Sequence, residues 1–131
     1  MNGETELGKL LKNLKPERQP GEYVFCVVNT LKHAAELNPI STFQEAEGVT
    51  VVLPKRLADE NILFYSVVCA WITLTVHSSL EAVGLTAAVS SALAGANISC
   101  NVVAAFHHDH IFIPVKDAEQ AMEILLSLSK G

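Results

Sequence analysis

The chain has 131 residues, a formal net charge of −5, and hydrophobic side chains at half of its positions. Its mean hydropathy is +0.31, a length and composition that suit one ordinary domain's worth of core. The absence of a basic cluster excludes binding to nucleic acid through its phosphates. The longest apolar run, Ile62–Val76, is broken by Tyr65, Ser66, Thr73 and Thr75 and falls short of a membrane span, so the apolar excess is expected at subunit contacts rather than in lipid.

The opening MNGETELGKLLKNLKPERQ carries no apolar secretory core and is read as no signal segment. Leu7, Leu10, Leu11 and Leu14 recur at helical spacing, and Pro16 and then Pro20-Gly21 end that helix. EYVFCVVN predicts a strand, and TLKHAAELN predicts a helical turn stopped by Pro39. STFQEAEGVTVVLP reads as two short strands with a turn at Glu47-Gly48, closed by Pro54; KRLADEN is a short polar helix or turn. FYSVVCAWITLTV is a long strand-like run. Its last part sends Ile72, Leu74 and Val76 one way and Thr73 and Thr75 the other.

From Ser79 the period becomes helical, with Ala82, Leu85, Val89, Ala92, Leu93 and Ala96 on one face and Gly95 and Asn97 at the end. ISCNVVAAF predicts a strand, HHD a turn and HIFIPV the returning strand. Asp117 and Gln120 form a capping box for a last helix whose buried face is Ala118, Ala121, Met122, Leu125 and Leu128. Val49–Glu60 and His110–Ala121 share one pattern: an alternating strand, a proline, a lysine and an acidic helix start. This predicts two related modules. The fold class is α+β, with antiparallel sheets covered by helices on one face in the ferredoxin-like βαββαβ arrangement. The modules are expected at residues 1–62, incomplete, and 63–131, complete. Their sheets are expected to pair edge to edge, since fusion or dimerisation removes an open edge.

The passage from strand to helix at HSSLEAVGL is where the chemistry is expected. Ser78 and Glu81 have the spacing of a capping box, which satisfies two amides with no ligand. A second reading uses the same helix start as a carboxylate site, because free N–H groups and the dipole favour an anion. A glycine inside a helix costs about 1 kcal/mol, so Gly84 suggests a close backbone or ligand approach. His77, at the strand end, either bonds a ligand or is a surface histidine.

The motifs from Thr73 through His77-Ser78-Ser79-Leu80-Glu81-Ala82-Val83-Gly84-Leu85-Thr86, Ile98–Val103 and His108–Pro114 carry a resemblance. Trp71–Val115 resembles the ACT domain, a small regulatory module that binds amino acids. The whole chain resembles a bacterial family of small proteins with two tandem ACT-like modules, the looser match extending to Tyr23–Pro54. The resemblance implies that the ligand loop is Ser78–Leu85 with Gly84 as its glycine. His77, Ser78, Ser79, Leu80, Glu81, Val83, Gly84 and Leu85 are then the ligand-binding candidates, joined by Asn101 and Val102 of the following strand. Where the common ACT loop has an acidic residue and a proline before the glycine, this chain has Ala82 and Val83.

FHHDHIF places His108 and His110 on one face of a strand, a pair able to share a metal ion. A third and fourth ligand are not evident, and a solvated hairpin explains the string as well. Cys26, Cys69 and Cys100 are odd in number, widely spaced and free of any CxxC, which predicts buried free thiols in a reducing cytoplasm. No nucleophile elbow, P-loop or dinucleotide fingerprint is present. The carboxylate pairs Glu45 with Glu47 and Asp59 with Glu60 lie in polar segments and read as solvated surface. The expectation is a non-enzymatic, cofactor-free cytoplasmic regulatory protein, a homodimer binding a small amino acid or related carboxylate. The alternative is an interaction module without ligand that dimerises or docks on a metabolic enzyme or transporter. No catalytic or metal residue is assigned, and neither nucleic acid nor membrane is expected as a partner. A metal on His108 and His110 would revive an enzymatic reading.

Overall fold

The computed structural model describes residues 3–75 and 84–130. They fall into two compact units. One is Gly21–Cys69; the other joins the described residues up to Pro20 to those from Ala70 onward. The units are therefore not two consecutive blocks of chain.

The Gly21–Cys69 unit holds strands β2 (Tyr23–Val28), β3 (Ser41–Glu45) and β4 (Gly48–Pro54) and helices α2 (Leu31–Glu36) and α3 (Lys55–Glu60). The strands lie in the order β3-β4-β2, antiparallel throughout. Alternation sends Val24, Cys26 and Val28 into a core with Val49, Val51 and Leu53, beneath the two helices. Thr30 caps α2, its hydroxyl accepting from the N–H of His33 at 3.1 Å. Ala46 and Glu47 form the two-residue turn between Glu45 and Gly48, one residue earlier than expected, and Gly48 opens β4. A Cβ on Gly48 would lie 2.8 Å from Val27 Cγ2 and 3.1 Å from the Val28 carbonyl oxygen, so the crossing of β4 and β2 requires glycine there.

The other unit contains α1 (Gly3–Lys12), β1 (Lys15–Arg18), β5 (Cys69–Thr75), α4 (Leu85–Gly95), β6 (Asn101–Ala104), β7 (Asp109–Pro114), a single 3₁₀ turn and α5 (Ala118–Lys130). Its strand order is β1-β5-β7-β6. The fourth strand thus comes from the N-terminal segment: Lys15 pairs with Thr75 and Arg18 with Ile72. The proline expected only to end a helix lies inside this strand. β1 is the sheet's outer strand here, where a missing N–H is tolerated. Leu14, Ile72, Leu74, Val89, Leu93 and Leu125 meet in the core beneath the helices. The expected buried face of α5 holds: Ala118, Ala121 and Leu125 are buried, and Met122 and Leu128 pack beside them.

Three boundaries differ from the sequence reading, each for a local reason. The long run from Phe64 becomes a strand only at Cys69, because Leu63, Tyr65 and Val68 pack against the core of the first-described unit instead of joining a ladder. The run from Ile98 becomes a strand only at Asn101, because Ile98 is consumed in ending α4. Its N–H bonds Leu93 O at 2.9 Å and that of Asn97 bonds Ala94 O at 2.9 Å, while Asn97 takes φ 61°, the left-handed closure of a helix. The β6–β7 connection is residues 105–108, and Asp109 belongs to β7. Pro54 and Pro114 each stand immediately before the helical segment that follows, as the repeated pattern predicts.

Candidate functional site

His77, Ser78, Ser79, Leu80, Glu81 and Val83, with the Ser78–Glu81 capping box, lie outside the described residues. Gly84 is described, and it is not inside the helix: it is the residue before α4, in a left-handed conformation at φ 102°, ψ −25°. Its carbonyl accepts from the N–H of Ala88 at 2.8 Å. The glycine therefore serves a turn into the helix and imposes no cost on the helix interior. A Cβ there would meet the side chain of Leu7 from α1 at 3.5 Å, an ordinary contact, so the backbone conformation and not space selects glycine. Leu85 is 2% exposed and anchors the first turn of α4 in the core.

Asn101 and Val102 open β6, just after the chain has run down the length of α4. Asn101 is exposed and pairs with Phe112; Val102 is half-buried and pairs with Ile111. Eleven residues of helix separate Gly84 from that end, about 16 Å at 1.5 Å per residue. The residues that meet the start of α4 come instead from the other end of β6 and the start of β7. The Thr86 hydroxyl donates to the Asp109 carboxylate at 3.4 Å across this junction.

The β6–β7 loop ends in His108, whose carbonyl accepts from the N–H of Ala105 at 3.1 Å. The Nδ1 atom of His108 is buried and has no hydrogen-bond partner among the described residues. Such nitrogens are uncommon among the buried polar atoms of folded proteins. Two residues on, Nδ1 of His110 is engaged. Trp71 Nε1 donates to its Nδ1 at 3.0 Å, and the Thr73 hydroxyl lies 3.1 Å from the same atom. Gln19 Nε2 donates to Thr73 Oγ1 at 2.9 Å. An indole N–H only donates, so Nδ1 of His110 is the acceptor and its proton sits on Nε2. Burial, then the charge of His108, push the titration of His110 down, opposed by Asp109. Trp71 also stacks on Phe112, with centroids 6.0 Å apart.

Among the described residues no group of three histidine, cysteine or acidic side chains could hold a metal ion, and Nδ1 of His110 is already used. Cys26, Cys69 and Cys100 are free thiols, each pushed up in pKa by burial, with the Asp59 charge adding to the effect at Cys26. Sequence reasoning named His108 only as half of a metal pair. The signal for another role was its place in the FHHDHIF loop, but burial of one nitrogen is visible only in three dimensions.

The Gly21–Cys69 unit offers a contrast. Its strand-to-helix connection is only Asn29–Thr30, and Thr30 satisfies the helix end itself. The adjoining cavity of about 330 Å³ includes Glu45 and Glu47 in its lining, which would repel a carboxylate.

Family comparison divides the chain into two consecutive stretches. An ACT-domain model matches residues 2–70 and a second ACT-domain model matches residues 66–127. A Vibrio cholerae protein of unknown function, described as a possible transport protein, is 46% identical. The match covers 98% of this chain and 99% of that one, with a TM-score of 0.90. Two others share the fold at lower identity. An Agrobacterium tumefaciens protein is 17% identical, covering 89% of this chain and 90% of its own, with TM-score 0.68. The ligand-free regulatory subunit of aspartate kinase from Thermus thermophilus is 11% identical, covering 86% and 95%, with TM-score 0.64. No curated protein matches the chain. ACT domains are regulatory, non-catalytic modules, and no helix among the described residues is long and apolar enough to cross a membrane. With two ACT-domain matches in tandem and a near-full-length relative of the same fold, the chain belongs to the ACT-domain family.

Proposed function

We propose that this protein is a non-enzymatic cytoplasmic sensor of a small amino acid or related carboxylate. The ligand binds where α4 begins, beside the β6–β7 loop, with residues of Ser78–Leu85 among its contacts. The observation that carries this reading is the buried Nδ1 of His108, without a partner among the described residues, at the end of the sheet where Thr86 and Asp109 tie β7 to α4. A neutral imidazole donates one hydrogen bond to a carboxylate, and the helix start adds free amides and a favourable dipole. Free, unpaired cysteines suit the cytoplasm. The fold shared with a regulatory subunit supports a regulatory role, and the bound state is reported through association, with a second copy or with a metabolic enzyme or transporter.

One observation favours the ligand-free alternative: Leu7 already covers the side of Gly84 where a ligand would approach. A thermal-shift screen with the twenty amino acids and common carboxylates separates the two. A compound at a hundred times its Kd stabilises the fold by about 2.7 kcal/mol, a shift on the order of 10 °C for a chain of this size. The sensor reading expects such a hit, lost in His108→Ala. A flat screen supports the pure interaction module and refutes the sensor.

A further inference from the structure

The N-terminal segment meets the chain on both sides of residues 76–83. Lys15 of β1 pairs with Thr75, the last residue of β5. The Leu7 side chain of α1 lies over Gly84, 3.5 Å from where a Cβ would stand, and Gly84 leads into α4. A third link runs from β1 through Gln19 and Thr73 to His110, two residues from His108. One stretch of chain, from Leu7 to Gln19, thus touches the helix start, the strand end and the strand that carries the histidines.

The two parts of this segment are held differently. β1 is laddered to β5 from Lys15 to Arg18, and Leu14 just before it is 2% exposed in the core. On α1, Leu7, Leu10 and Leu11 are each only half-buried. By contrast α4 buries Leu85, Val89 and Leu93, and α5 buries Ala118, Ala121 and Leu125. The end of α1 is also closed from within the segment. The backbone and side-chain N–H groups of Asn13 both donate to the Lys9 carbonyl, at 3.2 and 2.9 Å. The helix can leave its seat by turning at Leu14 without stripping this cap from its last turn. Its 10 residues are too few for a helix to be stable alone in water, so docking sustains it. Elements with little buried apolar surface are the ones that open first.

We propose, resting on the sensor reading above, that α1 is a strap hinged at Leu14. It closes on Gly84 in the free protein and is displaced when an amino acid or carboxylate binds at the start of α4. A ligand seated against Gly84 and the Leu7 side chain over Gly84 exclude each other. The ligand then binds only the open state, and that difference in affinity is what moves the equilibrium. Closure lowers the apparent affinity in proportion to the closed population, so loosening α1 tightens binding. Release also uncovers the leucine face of α1, which gives the bound protein a surface that the free protein covers.

Trypsin digestion of the full chain reads the strap directly. Lys9 and Lys12 are exposed on α1, and Arg18 is also exposed but tied into the β1 ladder. Cleavage needs a locally opened backbone, so at low protease the rate at each site follows its open population. The first cut should fall after Lys9 or Lys12, about tenfold or more faster than after Arg18. Leu7→Ala should raise it a further threefold or so while the Arg18 rate stays level. Acetate and the twenty amino acids, added one at a time, give the second arm. A compound that raises the thermal midpoint should speed the cuts at Lys9 and Lys12 about threefold, and should bind Leu7→Ala about threefold more tightly. The comparison of sites and the response to added compounds use the unmodified chain. One common rate at Lys9, Lys12 and Arg18 would show that α1 opens only with its whole unit, and overturns the strap. A compound that stabilises the protein yet leaves or slows the cuts in α1 overturns the strap and keeps the sensor. A flat screen removes the sensor and, with nothing left for α1 to oppose, the strap with it.

Discussion

Acidification should release Trp71 from His110, and the protein carries its own reporter, because Trp71 is the only tryptophan in the chain. Nδ1 of His110 accepts from the indole N–H at 3.0 Å and faces the Thr73 hydroxyl at 3.1 Å. A second proton on the ring must go to Nδ1, where it meets these donors. Burial, then the charge of His108, hold the titration of His110 below the ordinary histidine range, and Asp109 pulls the other way. Among the described residues, its hydrogen-bond partners Trp71 and Thr73, and Gln19 behind them, are neutral. The folded-state pKa is thus below that of the unfolded chain, whose histidine takes up a proton near pH 6.5. Stability from this group is complete above that pH and is lost as the pH falls through the folded value.

The size follows from the hydrogen bonds rather than from the titration, since the ring is half-exposed. Each bond to Nδ1 is worth about 1 kcal/mol net, and with solvent screening the loss is about 1 kcal/mol in all. Tryptophan emission against pH, with urea unfolding above and below the transition, measures it. His108→Gln removes the like charge and moves the transition to higher pH; Asp109→Asn moves it lower. His110→Gln should flatten it. An emission change that persists in His110→Gln refutes the reasoning, as does flat emission while the His110 ring is seen by NMR to take up its proton.

Other substitutions test the local arguments. Thr30→Ala should cost about 1 kcal/mol in urea unfolding, the usual value of a helix cap. Asn97→Ala should cost about 1 kcal/mol, and Asn97→Gly much less, since only the left-handed conformation is at stake. Gly48→Ala should be worse than either, because its Cβ would sit 2.8 Å from Val27 Cγ2 and 3.1 Å from a carbonyl oxygen. A cost under about 1 kcal/mol would show that β2 shifts freely.

Where local chemistry decides an element, the sequence was enough. Asn97 ends α4, and the two prolines stand before the helical segments that follow β4 and β7. Lys15–Arg18 shows the opposite case. KPER is polar, short and contains proline, and nothing local marks it as a strand; pairing with β5 makes it one. Phe64–Val68 fails the other way: Tyr65 and Val68 are spent on packing against the core of their own unit. At the candidate site, Gly84 and the FHHDHIF string were legible as residues to watch. The left-handed turn before α4, the orphaned nitrogen of His108 and the Trp71–His110–Thr73–Gln19 chain depend on contacts between elements far apart in sequence.

The N-terminal segment touches this site twice, and the two contacts differ in kind. Gln19 bonds Thr73, one link from His110, while Leu7 lies over Gly84. If Leu7 merely rests there, the reason for glycine is φ 102° alone. Gly84→Ala should then cost about 1–2 kcal/mol, and the cost should be the same whether residue 7 is leucine or alanine. If Leu7 instead presses on Gly84, trimming it to alanine should relieve part of that cost. A double-mutant cycle of Leu7→Ala with Gly84→Ala decides between them. The 3.5 Å approach predicts additivity within about 0.5 kcal/mol, and a larger coupling would refute the reading of Gly84 as a purely conformational requirement. Additivity has a functional consequence. The turn before α4 would hold its shape without support from α1, so a ligand could displace Leu7 from Gly84 without unwinding the helix start, and α1 would be the element that moves.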